Sequence, residues 1–150
     1  MLQQLSGGTK TILCLNSAVA GATDITTAAV VDTEGYDGVR FIFGLGVITA
    51  GAATSTGVAG KATNTPTAGT DDLAGSKQTV LDTEDNTIVI TDISHPQQRY
   101  LRPFVKRATQ NAVVDFIIAE LYNHFGKLPI AQDASVSHIE YWDAPAVGTA

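Results

Sequence analysis

Val39-Arg40-Phe41-Ile42-Phe43-Gly44-Leu45-Gly46-Val47-Ile48-Thr49-Ala50 is the stretch on which the fold turns. Val39, Phe41, Phe43, Leu45 and Val47 recur at every second position, so on a strand they share one face. Arg40, Ile42, Gly44, Gly46 and Ile48 fall on the other. Each of the two interior glycines would cost a helix about 1 kcal/mol relative to alanine, which disfavours the helical alternative. A large apolar face opposite a glycine-thinned one predicts a core strand with something packed close against its second side.

Working outward, 32–38 is turn chemistry, with Gly35 and Gly38 among Asp32, Glu34 and Asp37. Upstream, 10–15 predicts a strand, 16–21 a small-residue turn, and 25–31 a second strand with Ile25, Thr27, Ala29 and Val31 on one face. Residues 1–9 are polar and glycine-tipped and read as an N-terminal arm. Downstream, 51–75 is the lowest-complexity region. A strand is expected near 56–63, and the rest reads as a long loop of the kind that is functional or disordered. Short strands are expected at 77–81 and 87–93, separated by the acidic turn 82–86. Segment 99–108 reads as a strand despite Pro103, which marks it as an edge or as bulged. Residues 109–111 make a hairpin-length connection to 112–123, which is apolar on both faces apart from Asp115 and Glu120. Its β-branched Val113, Val114, Ile117 and Ile118 favour a strand. Residues 127–150 read as an extended C-terminal arm carrying the aromatic cluster Tyr141-Trp142. The whole predicts an all-β chain: an antiparallel β-sandwich or jelly roll over 10–126, with extended arms at both ends.

Composition narrows the function classes. At 150 residues the chain fits one domain. Charged residues are 16%, too few for a coiled coil or helical bundle, whereas 44% hydrophobic residues are too many for a disordered tail. A net charge of −6 and a pI near 4.8 oppose direct nucleic-acid binding. No apolar run reaches the roughly 18 residues of a membrane span, and the N-terminus lacks the basic and apolar regions of a signal peptide, so synthesis in a cytosol is expected. Cys14 stands alone in an apolar run, so it forms no intrachain disulfide and reads as a small buried hydrophobe.

No cofactor or metal is expected. His138-Ile139-Glu140 puts a histidine and a carboxylate on one strand face, but an exposed pair is the simpler reading. His95 sits in a turn and His124 ends the last core strand. There is no Gly-x-Ser-x-Gly elbow and no phosphate loop, since Gly44-Leu45-Gly46 lies inside a strand. Asp71-Asp72 and the acids of 82–85 read as solvated turn residues and match no calcium-loop spacing. The charge pattern that stands out is Arg99, Arg102, Lys106 and Arg107, with no acid between Gln97 and Asn111. Either these cations guard an edge strand against aggregation or they contact an acidic partner surface. With Tyr141 and Trp142 they are the candidate partner contacts.

Tyr36 through Gly46, then the Gly/Ala/Thr stretch, Gln98-Arg99-Tyr100-Leu101-Arg102-Pro103-Phe104-Val105, Thr109-Gln110-Asn111 and Ile118-Ala119-Glu120-Leu121-Tyr122 together resemble small head proteins of tailed bacteriophages. These are decoration (cement) or minor capsid proteins. The likeness spans roughly 20–130 and excludes the arms. It implies a non-enzymatic subunit, often a trimer, that binds the outer surface of the major capsid protein lattice and stabilises the head. It assigns no functional residues. The alternatives are another virion component (head fibre base, neck or tail protein) and a carbohydrate-binding β-sandwich, which needs exposed aromatics such as Tyr36, Tyr100, Tyr141 and Trp142 on one face.

Overall fold

The computed structural model describes residues 5–49, 53–126 and 128–140. Among them are ten strands: β1 (Thr9–Leu15), β2 (Ala18–Gly21), β3 (Ile25–Thr26), β4 (Val31–Asp32), β5 (Tyr36–Ile48), β6 (Thr54–Lys61), β7 (Gln78–Val80), β8 (Thr87–Ser94), β9 (Tyr100–Lys106) and β10 (Ala112–His124). They form two five-stranded antiparallel sheets packed face to face. The first runs β1-β10-β5-β8, with β2 also on β10; the second runs β3-β9-β6-β7, with β4 also on β9. β1 and β2 pair with successive parts of β10, and β3 and β4 with successive parts of β9, so each sheet is four strands wide. The chain crosses between sheets after β2, β4, β5, β7, β8 and β9. That connectivity is a jelly roll.

The core lies between the sheets. Val39, Phe41, Phe43 and Leu45 of β5 are at most 1% exposed and cluster with Val31, Val58, Leu101, Val105, Ile117 and Leu121. Each such side chain contributes roughly 1.5–3 kcal/mol by leaving water. The alternation breaks after Leu45. Val47, expected on the core face, is outside, and Ile48 is buried instead. Leu45 pairs with Val114 and Ile48 with Ala112, so β5 carries an extra residue here and its facing flips.

Two other sequence expectations change. β9 is an inner strand, between β6 and the β3/β4 line. Pro103 is tolerated because its backbone polar side faces the gap between β3 and β4. There its carbonyl accepts from Thr27 Oγ1 at 3.1 Å, and no ladder donor is needed. β9 and β10 lie in different sheets, so 107–111 is a corner rather than a hairpin. Gln110 is buried in it, and its Oε1 accepts from Thr54 N at 2.6 Å. The strand expected near 56–63 is β6, and it is an inner strand whose Thr54–Ala59 portion is buried.

The threonines of β6 share the inward parity of Val58, and the hydroxyls of Thr54 and Thr56 have no hydrogen-bond partner among the described residues. A buried unpaired hydroxyl costs about 1–3 kcal/mol. Thr56→Val keeps the shape and removes that group, so it is expected to stabilise the domain by about 1 kcal/mol, read from the urea midpoint at constant m-value. A loss of stability would show that the hydroxyl is satisfied.

Segment 128–140 lies along the free edge of β1. Ile130 is buried and its N–H donates to Gly7 O. Gln132 Oε1 accepts from Thr11 N at 2.9 Å while its Nε2 donates to Thr9 O at 2.7 Å, and Ser135 Oγ accepts from Leu13 N at 3.0 Å. These side chains stand in for a neighbouring strand and blunt that edge. Cys14 is buried beside them, and burial pushes its thiol up to about 12, which makes it inert at neutral pH. No described helix is long and apolar enough to cross a membrane.

Candidate interaction surface

The outer face of an antiparallel sandwich sheet is ordinarily polar. The outer face of the first sheet is apolar over much of its width. Leu13, Ile118, Ile42 and Ile90 are register partners on β1, β10, β5 and β8, so four aliphatic side chains form one unbroken row across the sheet. The next row holds Phe116, Gly44 and Ile88. Beyond it Val19 and Val47 are also exposed. Leu13 is 39% exposed, Ile90 49% and Ile88 59%, so the row is open to water at both ends. A contiguous apolar patch on one face marks an interaction site far better than scattered exposed residues do.

The glycines of β5 shape this face. A Cβ at Gly44 would sit 2.5 Å from the Phe116 ring, its register partner, and one at Gly38 would run into the ring of Tyr122. What packs on the glycine side of β5 is therefore the neighbouring strand's aromatic rings laid flat, with no further layer above them among the described residues. The rings cover exposed backbone and keep the surface level.

A polar row borders the apolar ones: Thr11, Glu120, Arg40 and Asp92 are register partners. Arg40 and Glu120 form an ion pair, with Nε donating to Oε2 at 3.0 Å. Tyr122 Oη donates to Asp92 Oδ1 at 2.7 Å. Burial first, then this bond to a carboxylate, pushes the phenol up to about 12.

The four cations singled out in the sequence do not form one patch. Arg99 donates to Asp32 at 2.9 and 2.8 Å and pairs with Glu34 as well. Lys106 pairs with Asp72 at 3.1 Å and lies 5.1 Å above the Phe104 ring. Arg102 sits between them on the outer face of the second sheet, in no ion pair among the described residues, with its Nε buried and unpartnered. Arg107 leaves the set altogether. It is 7% exposed, and its guanidinium donates to Val19 O, Thr23 O and Ala112 O, each at 2.7 Å. A side chain consumed by the 107–111 corner cannot touch a partner. The acids that neutralise Arg99 and Lys106 come from β4, the β4–β5 turn and the 62–76 loop, so no local sequence window contains them. Tyr141 and Trp142 lie outside the described residues.

The remaining candidates have structural partners. His124 Nδ1 lies 2.8 Å from Gly35 O, with its ring 4.7 Å from that of Tyr36. His138 contacts Ser137, and no group of three metal-ligating side chains occurs among the described residues. Asp71 and Asp72 take the ammonium groups of Lys61 on β6 and Lys106 on β9, which hold the 62–76 loop against those two strands. Tyr36 belongs to the first sheet and Tyr100 to the second, so these two aromatics share no face. The signal for the apolar surface was present in the sequence: β10 is apolar on both faces, and Ile42 stands opposite the core face of β5.

No family model matches the chain, and no curated protein matches it. A solved structure described by the words "Bacillus endospore appendages form a novel family of disulfide-linked pili" is similar at a TM-score of 0.41 and 10% identity. The likeness covers 83% of this chain and 97% of that chain.

Proposed function

We propose that this protein is structural: a decoration subunit of a tailed-bacteriophage head that binds the outer surface of the major capsid protein lattice and performs no catalysis. The observation that carries this reading is the aliphatic row Leu13–Ile118–Ile42–Ile90 on an outer sheet face. An exposed apolar surface of that extent serves association and is a liability in a free monomer. The resemblance of 20–130 to small head proteins supplies the setting, and the jelly-roll connectivity is compatible with it. The subunit is made in the bacterial cytoplasm and resides on the capsid exterior.

Within this reading Arg102 and Lys106, on the outer face of the second sheet, meet the acidic lattice. Co-sedimentation with expanded heads of the phage that carries this chain tests it. The wild type should pellet with heads and not with free capsid subunits. Charge reversal of Arg102 and Lys106 together should weaken binding by about 10-fold or more at low salt, with the difference shrinking as salt rises. Failure of the wild type to pellet with heads would defeat the proposal, and copies confined to a vertex or tail would assign the chain to another virion part.

A further inference from the structure

We infer that the outer face of the first sheet pairs with the same face of a second copy of this chain, about a twofold axis running along the strands. In this arrangement the aliphatic row on which the proposed function rests joins two copies and the second sheet is left to meet the lattice; because the contact forms in the isolated protein, its failure and the failure of head binding are separate results.

Area and charge both point to a second copy. The two central strands, β5 and β10, are 13 residues each, flanked by β1 with 7 and β8 with 8. At roughly 3.4 Å per residue and 4.8 Å per strand, the face spans about 700 Å². Standard stable interfaces bury about 800 Å² on each partner, so this one face is of the size a dimer needs.

The charges select the partner and the axis. Rotation about an axis parallel to the strands reverses the strand order β1-β10-β5-β8 across the interface while keeping each row opposite itself. β5 then lies over β10 of the second copy. Arg40 faces Glu120 of the second copy, and Glu120 faces its Arg40, so two intramolecular ion pairs become one four-membered network. In the apolar row Ile42 meets Ile118 and Leu13 meets Ile90, twice over. Phe116 falls opposite Gly44 of the second copy, so the two Phe116 rings, each laid over its own Gly44, meet at the axis. An axis across the strands through the middle of the face would instead set the Arg40–Glu120 row over the Phe116–Gly44–Ile88 row and bury charge against apolar groups, which is costly. The sheets pack strand along strand, the arrangement that twisted sheets favour. An isologous contact of this kind gives a dimer, which departs from the trimer implied by the resemblance.

Sedimentation velocity across a dilution series tests this on the isolated protein. The wild type should be dimeric. Leu13→Lys with Ile90→Lys replaces two side chains that are 39% and 49% exposed, so the fold should survive, checked by circular dichroism, while the dimer Kd rises by about 100-fold or more. Arg40→Glu alone and Glu120→Arg alone should each weaken self-association by about 10-fold or more, and an equimolar mixture of the two should form heterodimers, because every Glu then faces an Arg. The mixing result stands even if the lysine variant fails to fold. A wild type that remains monomeric, a trimer, a dimer indifferent to these substitutions, or a mixture that does not associate would each overturn the inference.

Discussion

Replacing Arg107 with alanine is expected to destabilise the domain by about 3 kcal/mol or more, the largest loss of any single charge among the described residues. Its guanidinium bridges three carbonyls from β2, the β2–β3 connection and the start of β10, and its own N–H donates to Asp24 Oδ1 at 3.0 Å. Burial pulls its pKa below the usual arginine value, with Asp24 opposing. Removal leaves three carbonyls without their donors, each costing about 1–3 kcal/mol where water cannot replace the donor. Lysine is expected to rescue little, since one ammonium cannot reproduce the planar fork. Gly21 completes the site, because a Cβ there would stand 3.3 Å from the guanidinium. Arg102→Ala should stay within about 1 kcal/mol. Urea unfolding of the two variants makes the comparison, and an Arg107→Ala loss below that of Arg102→Ala would contradict the corner's role.

The second large effect separates two glycines that look alike in sequence. Gly57 and Gly44 each sit beneath an aromatic register partner, Phe104 and Phe116, and a Cβ at either would come within 2.5 Å of the ring. Phe104 is 1% exposed and held under Lys106, whereas Phe116 is only half-buried on the open face. Gly57→Val has nowhere to displace the ring and should cost about 3 kcal/mol, at the upper end of overpacking. Gly44→Ala can be absorbed by swinging Phe116 outward, at about 1 kcal/mol in the folded monomer. The same swing would roughen the apolar face, so Gly44→Ala should impair self-association more than stability. Equal losses from the two substitutions, by thermal or urea unfolding, would show that burial of the ring is not what decides the cost.

Much of this was legible in the residues. Period-two alternation located β5, and the all-β architecture followed from short apolar runs between turn signals. The Val47–Ile48 flip was not legible, because a bulge is a property of two strands in register and each strand alone still alternates. β6 was legible as a strand near 56–63 but not as an inner one, because its Thr, Ser, Gly and Ala leave the space to its neighbours' side chains, Phe104 foremost. Pro103 pointed to an edge, yet its polar side meets a break in the adjacent line of strands, which only the fold creates. Sequence grouping put Arg107 with Arg99, Arg102 and Lys106. Their partners come from distant strands and the corner, so Arg107 is spent on backbone carbonyls, Arg99 and Lys106 are neutralised by acids, and Arg102 has neither kind of partner among the described residues. The apolar outer face could have been found by asking why β10 is apolar on both sides.

The most direct test of the proposed function is a reconstruction of heads of the phage proposed to carry this chain. The expected result is density for this chain repeated across the outer lattice, with Leu13, Ile42, Ile90 and Ile118 covered by the same residues of a second copy. Heads that carry no such density, or copies whose first-sheet face stands open to solvent, would contradict it.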